Sequence, residues 1–346
     1  MDEEKEVTIY DIAMRLNLSP ATVSRGLKNF HHINKDTKKR IHDTAKEMGY
    51  RSNSFASNLR TKRSNTIGVI VPRLNSYFMS GVLAGMENVV QNAGYNLIIS
   101  QSLETFKKEK ANAHTFFNNR VDGLLISFAY DTTNIQHILP FINKKIPVVF
   151  FDRVFENSEC ATVLIDNVKA AYEITKHLIE QGCKNIVHIT ANTKLGVYRD
   201  RLNGFKMALA EFKLPFKESK NLIVNNLSEA AGIEAAEKIL KMKPRPDAVF
   251  AGNDTSAISC MIKLMEEGVK IPDDIAVAGF NNDPISRIVQ PNLTTVNYPA
   301  FQMGEVAARN LIQHLDGLSD INATDTILLK SELLVRGSSL KLKSKK

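Results

Sequence analysis

The chain has 346 residues, 43% hydrophobic and 24% charged, with a formal net charge of +8. That balance belongs to a folded globular protein of two or three domains and excludes a disordered polymer or a membrane-embedded bundle. The charge is uneven: residues 1–11 carry −4, residues 12–63 carry +9 and residues 64–346 carry +3. A positive field focused on a small segment suits a polyanion, because each neutralised phosphate releases counterions. A solvated lysine-rich surface would carry the same charge, so both readings stand at this point.

The first residues are acidic and lack an apolar run, so no signal peptide is expected, and no apolar run is long enough to span a membrane. Ile9, Ile12, Ala13 and Leu16 then fall at helical spacing and form one apolar face. Asn17 allows a turn. Ser19 is an N-cap, and Pro20 suits the first helical position, where its missing N–H costs nothing. Val23 and Leu27 face inward, which leaves Thr22, Ser24, Arg25 and Lys28 outward. Two short helices joined this way predict a helix-turn-helix, whose second helix fits a DNA major groove. A third helix, capped by Asn34 and running to Met48, places Ile41, Ala45 and Met48 on its core stripe before the Gly49 stop.

Residues 51–65 are polar, basic and weakly helical, and read as a linker that gains shape on a partner. Beyond Thr66 the pattern changes. Apolar runs at 66–71, 95–100, 123–127, 147–151, 184–190, 221–224, 247–251 and 274–280 alternate with amphipathic stretches near 78–93, 106–119, 134–144, 167–181, 200–212, 228–241 and 254–267. Such alternation predicts parallel sheets with helices on both faces. Two series of this kind predict two doubly wound lobes, with ligand outside the carboxyl ends of the strands.

Certain residue runs make the reading specific. They are Val7-Thr8-Ile9-Tyr10-Asp11-Ile12-Ala13, Ser19-Pro20-Ala21-Thr22-Val23-Ser24-Arg25, Gly49-Tyr50, Asn65-Thr66-Ile67-Gly68-Val69-Ile70 and Phe151-Asp152-Arg153. Arg201-Leu202-Asn203-Gly204-Phe205, Asn253-Asp254, Gly279-Phe280-Asn281-Asn282-Asp283 and Leu293-Thr294-Thr295-Val296 follow in the same order. From about residue 7 to Ser338 the chain resembles the lactose repressor/galactose repressor (LacI/GalR) family of transcription regulators. The resemblance implies an all-α headpiece at 1–51, a hinge at 52–65, a two-lobed α/β sensor like a periplasmic binding protein at 66–340, and a basic tail at 341–346. Its N-lobe would take about 66–165 plus 298–325, and its C-lobe about 166–297 plus 326–340. It also implies a homodimer on a near-palindromic operator, a small effector between the lobes, no cofactor and no metal. With no heptads after the last strand, a dimer is expected over a tetramer.

By that resemblance Pro20, Ala21 and Arg25 meet base edges. Arg25 can pair bidentately with guanine, whereas Pro20 and Ala21 offer only van der Waals contact. Thr22, Ser24, Asn34 and Thr37 are candidates for phosphate contacts, with Thr8, Tyr50 and Asn53 beside them, and Ser19 and Asn34 have the competing role of helix caps. Leu59 is implied as a minor-groove wedge, and Ala56 as the close contact between two hinges. Many relatives carry Pro where this chain has Ser52, which points to a looser hinge start.

In the sensor the candidate effector residues are Tyr77, Phe78, Asp152, Arg201, Asn253 and Asn281. Tyr77 and Phe78 can stack on a ring; core packing is the other reading. Asn281 stands where many relatives have Asp, and Leu227 where several have an aromatic face. These departures keep a nucleobase or other metabolite, acting as corepressor, beside the expected sugar or sugar derivative. For Asp254, helix capping and ligand contact are equally open.

Three competing readings fall away at this level. Cys160, Cys183 and Cys260 have no zinc or secretory spacing and read as plain thiols. No phosphate loop, His-x-x-x-His or Gly-x-Ser-x-Gly elbow suggests an enzyme, and His31, His32, His177 and His188 read as solvated or core residues. A solute-binding transport protein would share the lobes but not the headpiece. A bacterial cytoplasmic regulator, most simply a repressor, is the expectation.

Overall fold

The computed structural model describes residues 7–28, 30–50, 63–155, 160–193, 196–224, 226–321 and 326–341. The chain divides between Ser64 and Asn65 into two units. The first carries α1 (Ile9–Leu16), α2 (Pro20–Leu27) and α3 (Lys35–Glu47). Asn17, with φ of 55°, ends α1 in the left-handed region and turns the chain towards α2. Asparagine tolerates that conformation better than most residues. Ile12, Ala13, Val23, Ile41 and Ala45 form the small core, with Leu16, Leu27, Met48 and Tyr50 packed around it.

The second unit holds two sheets. The first runs in the order β11 (Thr326–Leu329), β5 (Ala161–Ile165), β4 (Val148–Phe151), β3 (Gly123–Ile126), β1 (Thr66–Val71), β2 (Asn96–Gln101), and every neighbouring pair is parallel. With it go α4 (Tyr77–Asn92), α5 (Phe106–Asn118), the short α6 (Leu139–Asn143) and α12 (Ala300–Leu315). The second sheet runs β12 (Glu332–Leu334), β10 (Thr294–Asn297), β9 (Ala276–Asn281), β8 (Ala248–Ala251), β6 (Ile186–Thr190), β7 (Leu222–Val224), parallel except at the β12–β10 edge. Its helices are α7 (Asn167–Glu180), α8 (Gly196–Glu211), α9 (Glu218–Asn221), α10 (Glu229–Lys241) and α11 (Asp254–Glu266). The central strands β3, β4, β6 and β8 are buried along their whole length, as both-faced covering requires.

The alternation read from the sequence corresponds to strands β1 to β4 and β6 to β9. The third passage of the chain differs from expectation. The expected N-lobe ended at 325, but β11 at 326–329 pairs with β5 in register Thr326↔Thr162 to Leu329↔Ile165. The Thr162 and Thr326 hydroxyls bond at 2.9 Å. Backbone pairing therefore extends the first lobe to Leu329, and the C-lobe resumes only at β12, whose Leu334 stands opposite Thr295. The helix expected near 134–144 is only Leu139–Asn143. Pro140 fits a first turn, so the helix starts there, after the turn-forming Asp131–Asn134 run.

Helices α4 and α12 cross closely on the first lobe. A Cβ at Gly304 would lie 1.9 Å from the Val82 carbonyl oxygen, and one at Gly85 would lie 2.0 Å from that of Phe301. Only glycine on both helices lets the two backbones approach this far.

Candidate functional site

The N-terminal unit offers one polar face. Asp11 accepts from the Thr8 N–H (2.7 Å) and the Thr8 hydroxyl (2.6 Å), which fixes the start of α1. Ser19 Oγ accepts from the Thr22 N–H at 3.1 Å and bonds the Thr22 hydroxyl at 2.8 Å. Asn34 Oδ1 accepts from the Asp36 N–H at 2.9 Å. Ser19 and Asn34 thus satisfy N–H groups that have no partner within their helices, while Thr8 is held at the start of α1 by donating to Asp11. Pro20 is the first residue of α2. Ala21 and Arg25 lie exposed on it, Thr22 and Ser24 are half-buried, and Thr37 is half-buried on α3. Among the described residues Arg25 forms no ion pair, so its five donors are available to an outside acceptor. Tyr50 packs half-buried against the core. Asn53, Ala56 and Leu59 lie outside the described residues.

In the sensor unit the candidate site gathers at the carboxyl ends of both sheets. Asp152 follows β4 with φ of 56° and is buried. Tyr298 Oη donates to its carboxylate at 3.1 Å, and Ser127 Oγ at 3.4 Å. Burial pushes the Asp152 carboxyl above its usual range, against the pull of Arg153 and Arg201. Arg201, on α8, is also buried. Its Nε donates to Asn167 Oδ1 (2.9 Å) and its Nη1 to the Gly252 carbonyl (2.8 Å), and its guanidinium sits 3.6 Å over the Phe280 ring. Burial lowers the Arg201 pKa, while Tyr298, Tyr198 and Asp152 oppose that. One acid from the first lobe and one cation from the second therefore approach the same space, each held by neutral partners.

Other expected residues are placed differently. Phe78 is only 7% exposed and packs at 4.4 Å from the Tyr298 ring centroid, so it belongs to the core. Its neighbour Tyr77 is 63% exposed at the start of α4. Asn253 is the N-cap of α11: its Oδ1 accepts from the Ser256 N–H (2.8 Å) and its Nδ2 donates to the Leu227 carbonyl (3.0 Å). The amide is thereby taken by local structure. Asp254 is neither cap nor exposed ligand group; it is fully buried and accepts from the Asp283 N–H (2.7 Å) and Thr295 Oγ1 (2.6 Å). Burial pushes its pKa up to about 7. Asn281 ends β9 with φ of 116° and, with Tyr77, Phe78, Arg287, Tyr298 and Phe301, lines an open cavity of about 440 Å³.

The sequence reading missed the group that spans the lobes. Glu104, just after β2, accepts from Arg153 Nη1 (2.7 Å), Arg153 Nη2 (3.2 Å) and the Tyr130 N–H (3.1 Å). Arg153 Nη2 also donates to Tyr198 Oη on α8, at 3.2 Å, and so reaches the second lobe. Burial works against the Arg153 charge, but Tyr198, Glu104 and Asp152 together hold its pKa above the usual value. Tyr130 makes a second crossing: its hydroxyl accepts from the Asn192 N–H, and its ring stands 6.2 Å from that of Tyr198. The loop carrying Tyr130 is pinned from below by buried Glu109, which accepts from the Ala129 N–H (2.5 Å) and Thr132 Oγ1 (3.0 Å). The available signal was position. Glu104, Ser127, Tyr130, Asp152, Asn192 and Asn281 all lie at or just beyond the carboxyl ends of parallel strands, where open sheets bind ligands.

Among the described residues no group of three or more His, Cys, Asp or Glu could hold a metal ion, and no helix is long and apolar enough to cross a membrane.

Comparison with known proteins gives matching descriptions for both units. Residues 8–53 match "Bacterial regulatory proteins, lacI family", and residues 175–339 match "Periplasmic binding protein-like domain". The chain is 30% identical over 311 residues to Catabolite control protein A of Priestia megaterium, covering 90% of this chain and 93% of that protein. It is 30% identical over 308 residues to the HTH-type transcriptional repressor PurR of Vibrio atlanticus, covering 89% and 92%. In fold it is similar to the lac repressor dimer bound to operator and the anti-inducer ONPF, with a TM-score of 0.86, 23% identity, and coverage of 97% of this chain and 100% of that one.

Proposed function

The chain belongs to the lacI family of bacterial regulatory proteins, and from that premise we propose how it reads its operator and what occupies its cleft. It is a DNA-binding transcriptional regulator that acts on operator DNA as a dimer, with a periplasmic-binding-protein-like domain for a small effector.

Arg25 supplies the direct base readout, most simply as a bidentate pair to guanine, while Thr22, Ser24 and Thr37 set register on phosphates. Leu59 is the minor-groove wedge at the operator centre and Ala56 the hinge contact. The protein works in the cytoplasm, where its operator lies, and acts as a repressor.

The effector is a small polyhydroxylated metabolite, a sugar or sugar derivative. The observation that carries this is the convergence of Asp152 from one lobe and Arg201 from the other, beside Tyr198 and Tyr298. A buried acceptor and a buried guanidinium that keeps donors beyond those given to Asn167 and Gly252, walled by aromatic faces, match the alternating hydroxyls and apolar face of a sugar ring. A planar nucleobase is the second reading, favoured by exposed Tyr77 at the mouth of the cavity that Asn281 lines.

A thermal-shift screen of the full chain against sugars, sugar phosphates and nucleobases tests this. A ligand at a hundred times its Kd raises stability by about 2.7 kcal/mol. The sugar reading requires stabilisation by a sugar that Asp152→Asn abolishes. Stabilisation by a nucleobase alone selects the second reading, and a ligand indifferent to both Asp152→Asn and Arg201→Lys removes the cleft assignment.

A further inference from the structure

A second concave surface lies at the opposite pole of the C-lobe, at the amino-terminal ends of β6, β7 and β8. It encloses about 500 Å³ and is lined by Lys184, Lys217, Lys220 and Lys243, with Ser219 and Asn185 between them. No carboxylate lines it. The lysines come from separate stretches of chain. Lys184 precedes β6, Lys217 caps the start of α9, Lys220 lies in its last turn, and Lys243 lies between α10 and β8.

We propose that this cavity binds a compact, multiply phosphorylated small molecule, independently of the effector cleft. Three observations carry it. First, the walls are built. Buried Asn221 accepts from the Lys217 N–H (2.8 Å) and donates to the Ile186 carbonyl (2.9 Å), and Asn185 Nδ2 donates to the carbonyls of Pro244 (3.3 Å) and Arg245 (3.2 Å). Second, the lysines are not neutralised by neighbouring acids: Glu218, between Lys217 and Ser219, does not line the cavity, and Asp247 is engaged by backbone groups. The Asp247 carboxylate accepts the Lys184 N–H (2.8 Å) and the Asn185 N–H (2.9 Å), both backbone groups. Among the described residues none of the four lysines forms an ion pair. Third, Lys243 is not needed to balance the end of α10, which already has Lys238 and Lys241 in its last turn.

Four ammonium groups held around one concavity repel each other, and a compact polyanion relieves that repulsion while giving each a charge-assisted hydrogen bond. Phosphate groups suit lysine, whose three donors rotate about a point charge. The volume is within the range of small-molecule sites, roughly 300–1,000 Å³. Lys341 extends the positive pole, its Nζ donating to the Asp247 carbonyl at 3.3 Å. A nucleic acid duplex is too broad to enter a cavity of this size.

The test is calorimetric titration of the full chain with inorganic triphosphate at fixed ionic strength, read with hydrogen exchange. Expected are saturable binding of one triphosphate per chain and slowed exchange in segments 217–221 and 243–246. Lys217→Gln/Lys220→Gln weakens binding about tenfold or more, as loss of two charge-assisted contacts demands. Lys184→Gln, made separately, gives a smaller loss, while Arg25→Ala/Lys28→Ala in the headpiece leaves binding unchanged. Unchanged melting temperatures of the exposed-lysine variants separate lost binding from lost folding. The proposal is overturned by loss of binding in the headpiece variant but not the cavity variants. It is equally overturned by binding that never saturates, or by duplex DNA binding at these lysines where triphosphate does not.

Discussion

At the scale of single residues, Asp152 and Arg201 are the two charged groups that the family resemblance implies for the cleft, and the fold brings both against Tyr298. Asn253 looked equally good, yet its amide closes α11. An amide that caps and an amide that grips a ligand use the same atoms, and only coordinates tell them apart. Arg201→Lys removes the flat contact with Phe280 and at least one of two hydrogen bonds, so stability falls by about 1–3 kcal/mol, measurable by denaturant titration. Arg25→Ala tests the proposed base readout: preference for the selected operator over random duplex is expected to drop by about 1–3 kcal/mol in competition gel shifts, with effector binding unaltered. Asp254 sets a pH response. Its folded pKa is raised to about 7 from 3.8, so between those values the folded chain holds a proton that the unfolded chain has lost. Stability from this group therefore declines as pH rises towards 7. His188, lowered by burial to about 4, acts in the other direction, but below its ordinary value of 6.5. Acidification from pH 8 to 6.5 should accordingly raise the melting temperature of the wild type and change that of Asp254→Asn less. Equal slopes in the two proteins would remove Asp254 as the cause.

At the scale of elements, what the sequence displays is periodicity. Strands such as β3 and β8, apolar throughout and bounded by turns, announce themselves, and so do helices with one apolar stripe. The elements not anticipated are β5, β10, β11, β12, α12 and the four-residue α9, and most belong to the return passages between lobes. β11 and β12 are edge strands of four and three residues, half-exposed, with little apolar pattern to show; their place is set by backbone pairing with partners more than a hundred and about forty residues away. The α4–α12 crossing was invisible for a related reason, since a glycine in a helix reads first as a weakness. Gly304→Ala forces a methyl group against the Val82 carbonyl, and the helices must separate. A loss of about 1–3 kcal/mol is expected. A variant as stable as the wild type would show that the crossing tolerates a wider spacing.

At the scale of the molecule, regulation needs two lobes whose relative arrangement a ligand can bias. The structure shows what already links them: the Glu104–Arg153–Tyr198 chain and the Tyr130–Asn192 contact. Tyr130→Phe keeps the ring and deletes the acceptor, at a cost of about 1 kcal/mol. Amide exchange at Asn192 should quicken in the full chain by more than that loss of global stability accounts for; unaltered exchange there would mean the contact does not hold the lobes. The interleaving of the chain carries a consequence for how such proteins diversify. The first unit occupies one uninterrupted stretch of coding sequence and can be exchanged by a single crossover. Each lobe of the second is encoded in separate pieces, and the short stretch from Thr326 to Leu334 stitches a strand into one and then the other. Recombination cannot transplant one lobe alone, so a new DNA address is acquired by shuffling, whereas a new effector must come through point changes within an inherited pair.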